Sequence, residues 1–399
     1  MTKTFINLNL FDGVKNEIVK NSYLTVDDKG KILAKGIGTP DDSYQKVDLK
    51  NKFVMPGLIN AHTHIMMNPV TNKLEYLSEA EVTFTALKNL QTLLHAGVTY
   101  IRDCGCPFDV DIKLRRLQED GQLGGTEILP SGRPMTMTGG HGDFKEDLDG
   151  HVTWGHLVDS PYEMRKSVRQ EFKLGAKNIK VMATGGGMSS TDQVDDTELT
   201  ESEIRVAVEE AHTKHMTVAS HAQGNNGIQI SLDAGVDSIE HGIYVDEKQA
   251  EFMKEHNVYL VPTLNACAGI DKYGVGKIPD YMIKKNDIVK KDFFKNIGMA
   301  LKKGVKVVVG TDAGTPFNSF ETGTTDELEL IAGLGVSPYQ ALLGTTKYAA
   351  ELLGITDNYG SLDVDKFADF LVLDENPLED IKAVQQKDKQ VYKKGQLVK

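Results

Sequence analysis

The chain has 399 residues, 40% of them apolar, and a formal net charge of −12. That is enough apolar material for a large core, spread over about two to three domains or gathered in one large barrel. The acidic balance argues against nucleic acid or an anionic membrane as the main partner, and no apolar run is long enough to span a bilayer. Cys104, Cys106 and Cys267 are too few for a disulfide framework and read as buried thiols in a reducing compartment. The start, MTKTFINLNLFDG, lacks the basic, apolar and cleavage regions of a signal peptide, so a cytoplasmic location is expected.

In chain order, residues 1–55 alternate apolar and polar positions in short runs, with a hairpin turn expected at Asp28-Lys29-Gly30. Residues 357–399 look alike, ending in VYKKGQLVK with a Lys-Gly turn. The two β-rich ends are expected to pair into one small β-sandwich domain. Between them, residues 56–356 alternate strand runs with amphipathic helices. The strand candidates are FVMPGLINAH, VTYIRD, TEILP, NIKVMA, TVASHA, VDSIEH, VYLVPT and VKVVVGTDAG. Ser78 with Glu81, and Thr200 with Glu203, are spaced as capping boxes; Ser160-Pro161 opens a further helix and Gly97 closes the first. Eight such alternations predict an α/β fold, a closed (β/α)8 TIM barrel. An open doubly wound sheet is the alternative, but PGLINAHTH is not a dinucleotide-binding loop.

A parallel barrel gathers the C-terminal ends of its strands at one mouth. His62 and His64, two apart, project to the same side from strand one. Strand four then brings Lys180, strand five His221, strand six Glu240 and His241, and strand eight Asp312. These are metal-ligand types, or can become so. A bare ammonium at Lys180 would be costly to bury, and burial makes a neutral amine nucleophilic. Lys180 is open to an ion pair with Asp312 or Glu240, to Schiff-base chemistry, or to carbamate formation with carbon dioxide, which would yield an anionic bridge between two metals. His141, in the loop Thr138-Gly-Gly-His-Gly-Asp143 after strand three, is placed to touch substrate. Gly185-Gly186-Gly187 lets the backbone pass close to the metal site. His95, His151, His156, His212, His215 and His256 read as surface or capping residues.

The set PGLINAHTH, NIKVMATGG, SHAQG, IEHG and GTDAG, with FADFLVLDENPLEDI near the end, resembles the amidohydrolase superfamily over nearly the whole chain. It is most similar to the imidazolonepropionase-like branch, which includes binuclear zinc dipeptidases acting on Xaa-Pro or Xaa-basic dipeptides and ochratoxinase-like amidases. The resemblance implies two divalent ions, most simply zinc. His62, His64 and Asp312 would hold one, and His221 and His241 the other. Lys180, as N6-carboxylysine, and a hydroxide would bridge them. It also implies that Asp312 shuttles the proton and that His141 approaches substrate. Gln223 stands where some dipeptidases of the branch carry a carbonyl-polarising tyrosine, and its amide can donate to an oxyanion instead. The implied reaction is hydrolysis of a dipeptide or N-acyl amino acid. A cyclic amide or lactone hydrolase, a deaminase and a non-catalytic scaffold are the alternatives; Lys180 argues against a true imidazolonepropionase, which is mononuclear. A small-molecule or dipeptide substrate and a homo-oligomeric assembly are expected. The acidic stretches 194–196 and 321–326 read as solvated loops that could favour basic substrates.

Overall fold

The computed structural model describes residues 1–70, 77–143, 154–190 and 192–399. Among the described residues sixteen strands are formed, and the first four belong to the N-terminal segment: β1 (Lys3–Leu10), β2 (Val19–Val26), β3 (Ile32–Ile37) and β4 (Gln45–Pro56). Beyond them run β5 (Leu58–Thr63), β6 (Val98–Asp103), β7 (Glu127–Leu129), β8 (Met135–Thr136), β9 (His156–Leu157), β10 (Asn178–Met182), β11 (Thr217–Ala222), β12 (Ser238–His241) and β13 (Tyr259–Val261). The C-terminal strands are β14 (Phe370–Leu373), β15 (Gln390–Lys393) and β16 (Gln396–Leu397). The α-helices are α1 (Glu79–Ala96), α2 (Val110–Glu119), α3 (Pro161–Leu174), α4 (Glu201–His212), α5 (Asn225–Ala234), α6 (Glu247–His256), α7 (Leu264–Tyr273), α8 (Asp280–Lys303), α9 (Gly323–Gly333), α10 (Pro338–Leu343) and α11 (Lys347–Leu352).

Both ends of the chain share one seven-stranded sheet in the order β16-β15-β14-β4-β1-β2-β3. Its centre is β4, parallel to β1 and antiparallel to β14, with Val54 opposite Val372. Alternate side chains fall on one face, as the period of a strand dictates. There Phe5, Phe370 and Tyr392 pack, Phe370 stacking on Tyr392 at 4.5 Å. Phe5 and Phe370 are fully buried, so Phe370→Ala would cost about 3–5 kcal/mol. The hairpin turns lie where expected: Gly30 has φ +83° beside the Asp27 carbonyl, and Lys394 and Gly395 have φ +48° and +69°.

After Pro56 the chain leaves this sheet and enters the barrel directly as β5. The barrel staves pair in parallel as β5-β6-β7 and as β13-β12-β11-β10-β8. Two joints close the ring. Pro130 accepts amides from Lys177 and Asn178 at 2.9 and 3.2 Å, linking the third stave to the fourth. Segment 305–309 is the eighth stave: Val308 donates to Leu260 and Ala61 donates to Val309, both at 2.8 Å. The mixed α/β architecture is therefore a TIM barrel with an additional β-sheet region. Two staves are less regular than their sequences suggest. The third breaks after Leu129 because Pro130 has no N–H to offer the ladder, and it resumes as β8. The eighth makes isolated bridges only, because the carbonyl of His62 takes the amides of Thr311 and Asp312.

The helices begin and end on the expected signals. Ser78 and Glu81 form a reciprocal capping box on α1, and Thr200 and Glu203 form one on α4. Ser160 caps α3 with Pro161 in its first turn, and Gly97 ends α1 in the left-handed region. The apolar stripe of each helix seals the barrel wall; on α1 this is Val82, Ala86, Leu90, Leu93 and Leu94. Among the described residues no helix is long and apolar enough to cross a membrane.

Candidate active site

His62 is the penultimate residue of β5 and His64 follows the strand, both buried, their rings 5.4 Å apart. Both direct Nε2 at one oxygen, Oδ1 of Asp312, at 3.3 and 3.1 Å. The Asp312 amide in turn donates to the His62 carbonyl at 2.9 Å, so backbone and side chain both tie strand eight to strand one. Asp312 has φ +61° and His241 φ +69°, a conformation that strains non-glycine residues and concentrates at functional positions. Burial would raise the Asp312 carboxyl, but His62 and His64 hold it well below the usual carboxylate range.

The hydrogen bonds of the other ring nitrogens set what each histidine presents. His62 Nδ1 donates to the Glu240 carboxylate at 2.6 Å, which turns Nε2 toward Asp312. His221 Nε2 donates to the Gly185 carbonyl at 3.0 Å, which leaves Nδ1. His241 Nδ1 engages the Thr263 hydroxyl at 2.7 Å. The His241 ring sits 5.1 Å from that of His62 and 4.6 Å from that of His221. Burial, reinforced by His141 and His241, holds His221 well below its ordinary value. Burial does the same to His241 against the pull of Asp312. Neutral imidazoles with free lone pairs are the form that binds metal.

Lys180 is 1% exposed, and its Nζ lies 3.5 Å from His62 Nε2. Neither carboxylate considered for it is its partner. Asp312 is taken by the two histidines, and Glu240 by His62 and by Arg102 at 2.7 Å. Among the described residues Lys180 forms no ion pair. An ammonium buried without a counter-charge is strongly unfavourable. A carbamate on Nζ would remove that charge and supply two oxygens. His62, His64 and Asp312 offer donor atoms close enough to share one ion.

His141 lies beside this group, its ring stacked on His221 at 4.5 Å. Its amide donates to the Glu198 carboxylate at 2.8 and 3.0 Å, and its Nδ1 lies 3.2 Å from Asp192 Oδ2. Burial pushes the Glu198 carboxyl up to about 7, against the hydrogen bond from His141. Gly186 must be glycine: a Cβ there would stand 2.3 Å from the His141 ring. Gly186 thus packs against the imidazole, while Gly185 packs against Gln193 and Asp192. Gln223 brings its carboxamide to the same cavity, where Oε1 is buried without a hydrogen-bond partner among the described residues. The cavity over the site is lined by His62, His64, His141, Lys180, His221, Gln223, His241 and Asp312 but not by Glu240, with Trp154, Lys285 and an apolar upper wall.

Asp192, Lys285, Arg102 and the role of Glu240 escape a reading by strand ends. Glu240 was visible beside His241, but its buried pairing with Arg102, on the opposite side of the ring, has no sequence signal. Lys285 sits on α8 and bonds to Asp192 Oδ1 at 3.1 Å and to the carbonyls of Gly186 and Ser189, both at 2.8 Å. Of the histidines read as peripheral, His95, His212, His215 and His256 are exposed, while His156 is half-buried and pairs with Glu171 at 2.6 Å. His151 lies outside the described residues. All three cysteines are free and buried.

Comparison with known proteins agrees with this geometry. Ochratoxinase of Aspergillus niger is 29% identical over 99% of this chain and 86% of its own. Its crystal structure superposes with a TM-score of 0.86 at 28% identity, covering 100% of this chain and 95% of that one. A Xaa-Pro dipeptidase with methionine bound in its active site matches at TM-score 0.92 and 29% identity over the full length of both chains. A prolidase complexed with N-methylphosphonate-L-proline matches at 0.91 and 29%, again over both full lengths. The model of the Amidohydrolase family matches residues 53–398, and the chain belongs to that family of hydrolases.

Proposed function

We propose that the protein is a binuclear, metal-dependent amidohydrolase that cleaves the amide bond of a dipeptide or N-acyl amino acid. The observation that carries this reading is Lys180, buried beside His62 with no counter-charge among the described residues. An amine so placed is best explained as N6-carboxylysine. His62, His64 and Asp312 would hold one divalent ion and His221 and His241 the other, with carboxylated Lys180 shared. Zinc suits this nitrogen and oxygen set. When bound, such ions supply Lewis acidity and activate water near neutral pH.

The chain's own groups do the rest. Asp312 uses Oδ1 to orient His62 and His64, which leaves Oδ2 to take a proton from the attacking water and hand it to the departing nitrogen. His141, fixed by Asp192, is held to donate to the carbonyl oxygen or to a substrate carboxylate. Gln223 offers its carboxamide to the same oxygen and has an unpaired Oε1 for a substrate N–H. One water is consumed: the C–N bond breaks, a C–O bond forms, and the products are an acid and an amine. The partner is a small-molecule or dipeptide substrate, in a cytoplasmic setting consistent with three free thiols, and we expect a homo-oligomer.

The test is Lys180→Met. Elemental analysis of the zinc-loaded wild type should give two ions per chain and mass spectrometry of products an acid and an amine. The variant should lose both full occupancy and turnover while its apo form is no less heat-stable, since a buried amine has been removed. A Lys180→Met protein that keeps its metal and its rate would refute the binuclear reading. It would favour a mononuclear deaminase or cyclic-amide hydrolase.

A further inference from the structure

We propose that the substrate group entering beneath helices α7 and α8 is large and apolar, aromatic or long aliphatic, and that Met282, Val289 and Phe293 select it. The inference rests on the amide-hydrolase reading above and names the substrate class for that site. About 890 Å³ of space lies over the site when the open solvent at its mouth is included, and side chains of α7 and α8 line its wall. Its floor is polar, made by the histidines, Lys180 and Asp312. Its upper wall is not. Ile270 of α7 and Met282, Val289 and Phe293 of α8 face Met188 and Ile243.

The polar atoms within that wall are already spent. Lys285 Nζ, the one cation there among the described residues, is surrounded by oxygens. It bonds to the Gly186 and Ser189 carbonyls at 2.8 Å, to the Asp192 carbonyl at 2.5 Å and to Asp192 Oδ1 at 3.1 Å. Asn286 donates to the Cys267 carbonyl at 3.3 Å. A charged side chain pushed against this wall would lose its water and meet no partner, whereas an apolar one gains by leaving water. The unbranched, polarisable side chains of Met188 and Met282 adapt to groups of differing outline. The acidic stretch 194–196 offers no basic-group pocket in exchange. Of its residues only Val194 lines the cavity.

The test uses the zinc-loaded full chain and two series about one amide bond: N-acylglycines from acetyl to hexanoyl and benzoyl, and N-acetyl amino acids from glycine to leucine and phenylalanine, with aspartate and lysine as charged members. In one series kcat/KM should rise about fourfold per added methylene until the space fills, with charged members at the bottom. Phe293→Ala and Met282→Lys should flatten that slope at unchanged metal content, and Met282→Leu should keep it. A flat profile in both series, or a charged member on top, overturns the inference while leaving the amidase reading standing. If no amide is cleaved, the amidase reading fails, and calorimetry with N-benzoylglycine and N-acetylglycine decides the subsite separately. Tighter binding of the benzoyl compound, lost in Met282→Lys, supports it. Equal affinities overturn it.

Discussion

At the base of the barrel Glu127 of β7 meets Lys394 at 2.8 Å, Lys393 at 3.4 Å and the Tyr359 hydroxyl at 2.5 Å, while Lys393 also reaches Asp369 at 2.6 Å. At the mouth, among the described residues, Lys180 meets no carboxylate and Gln223 Oε1 meets no donor, and the imidazoles of His221 and His241 face one another. Both regions bury charged groups, and both join elements far apart in sequence. The base saturates its charges and so fastens the terminal sheet to the barrel. The mouth leaves valences unfilled, at a cost to the isolated fold, and that is the mark of a place built for something from outside. Stability and chemistry have been assigned to opposite ends of the same strands, as barrel geometry allows.

The sharpest way to separate the two ends is Asp312→Asn. Turnover should fall by about a thousandfold with the circular dichroism spectrum unchanged. Near-wild-type activity would remove Asp312 from the chemistry. Next is Glu127, whose carboxyl the two lysines hold at about 2, against the effect of its burial. A depressed value stabilises the fold fully above about pH 4.5, and the contribution is lost as pH falls towards 2. It is worth about 3 kcal/mol. Glu127→Gln should therefore lower stability at neutral pH by about 2–3 kcal/mol and flatten the acid limb of the denaturation profile, with kcat untouched. An unaltered acid limb would break the contrast from the stability side. Asp192→Asn should reduce kcat/KM by about ten- to a hundredfold, with Asp192→Glu recovering part of it; a uniform loss of both through unfolding, seen by thermal denaturation, would mean that the contact to His141 is merely structural. Smallest, Ser78→Ala removes a cap far from both ends and should cost about 1 kcal/mol without any change in kcat/KM.

Much of the site could be read from local periodicity. His62 and His64 share a side because a strand repeats every two residues, and Lys180 lies within, and His221, His241 and Asp312 at or just beyond the ends of, strands whose apolar runs are unmistakable. Caps such as Ser78 with Glu81 are equally local. What escaped the sequence depends on the third dimension. Lys285 reaches the glycine loop from a helix about a hundred residues downstream, with an |i−j| of 93 to Asp192. Arg102 finds Glu240 across the barrel interior at a separation of 138. No periodicity predicts which buried lysine is neutralised and which is not. The break at Pro130 was written in the sequence, since a proline cannot serve a central ladder, whereas the bridged eighth strand reflects amides diverted to the His62 carbonyl.

The seam between strands one and eight also bears on how the protein is made. Asn60 binds the Thr311 hydroxyl and backbone across 251 residues, and Asp312 reaches His62 by the same seam. A ribosome finishes the first pair of histidines long before the aspartate that completes them exists. Until the ring shuts, the nascent chain holds scattered imidazoles with no common centre. On the proposed function, loading would follow closure, and acquisition of metal would mark the end of folding. A newly made chain challenged with chelator would be vulnerable up to that moment and resistant after it.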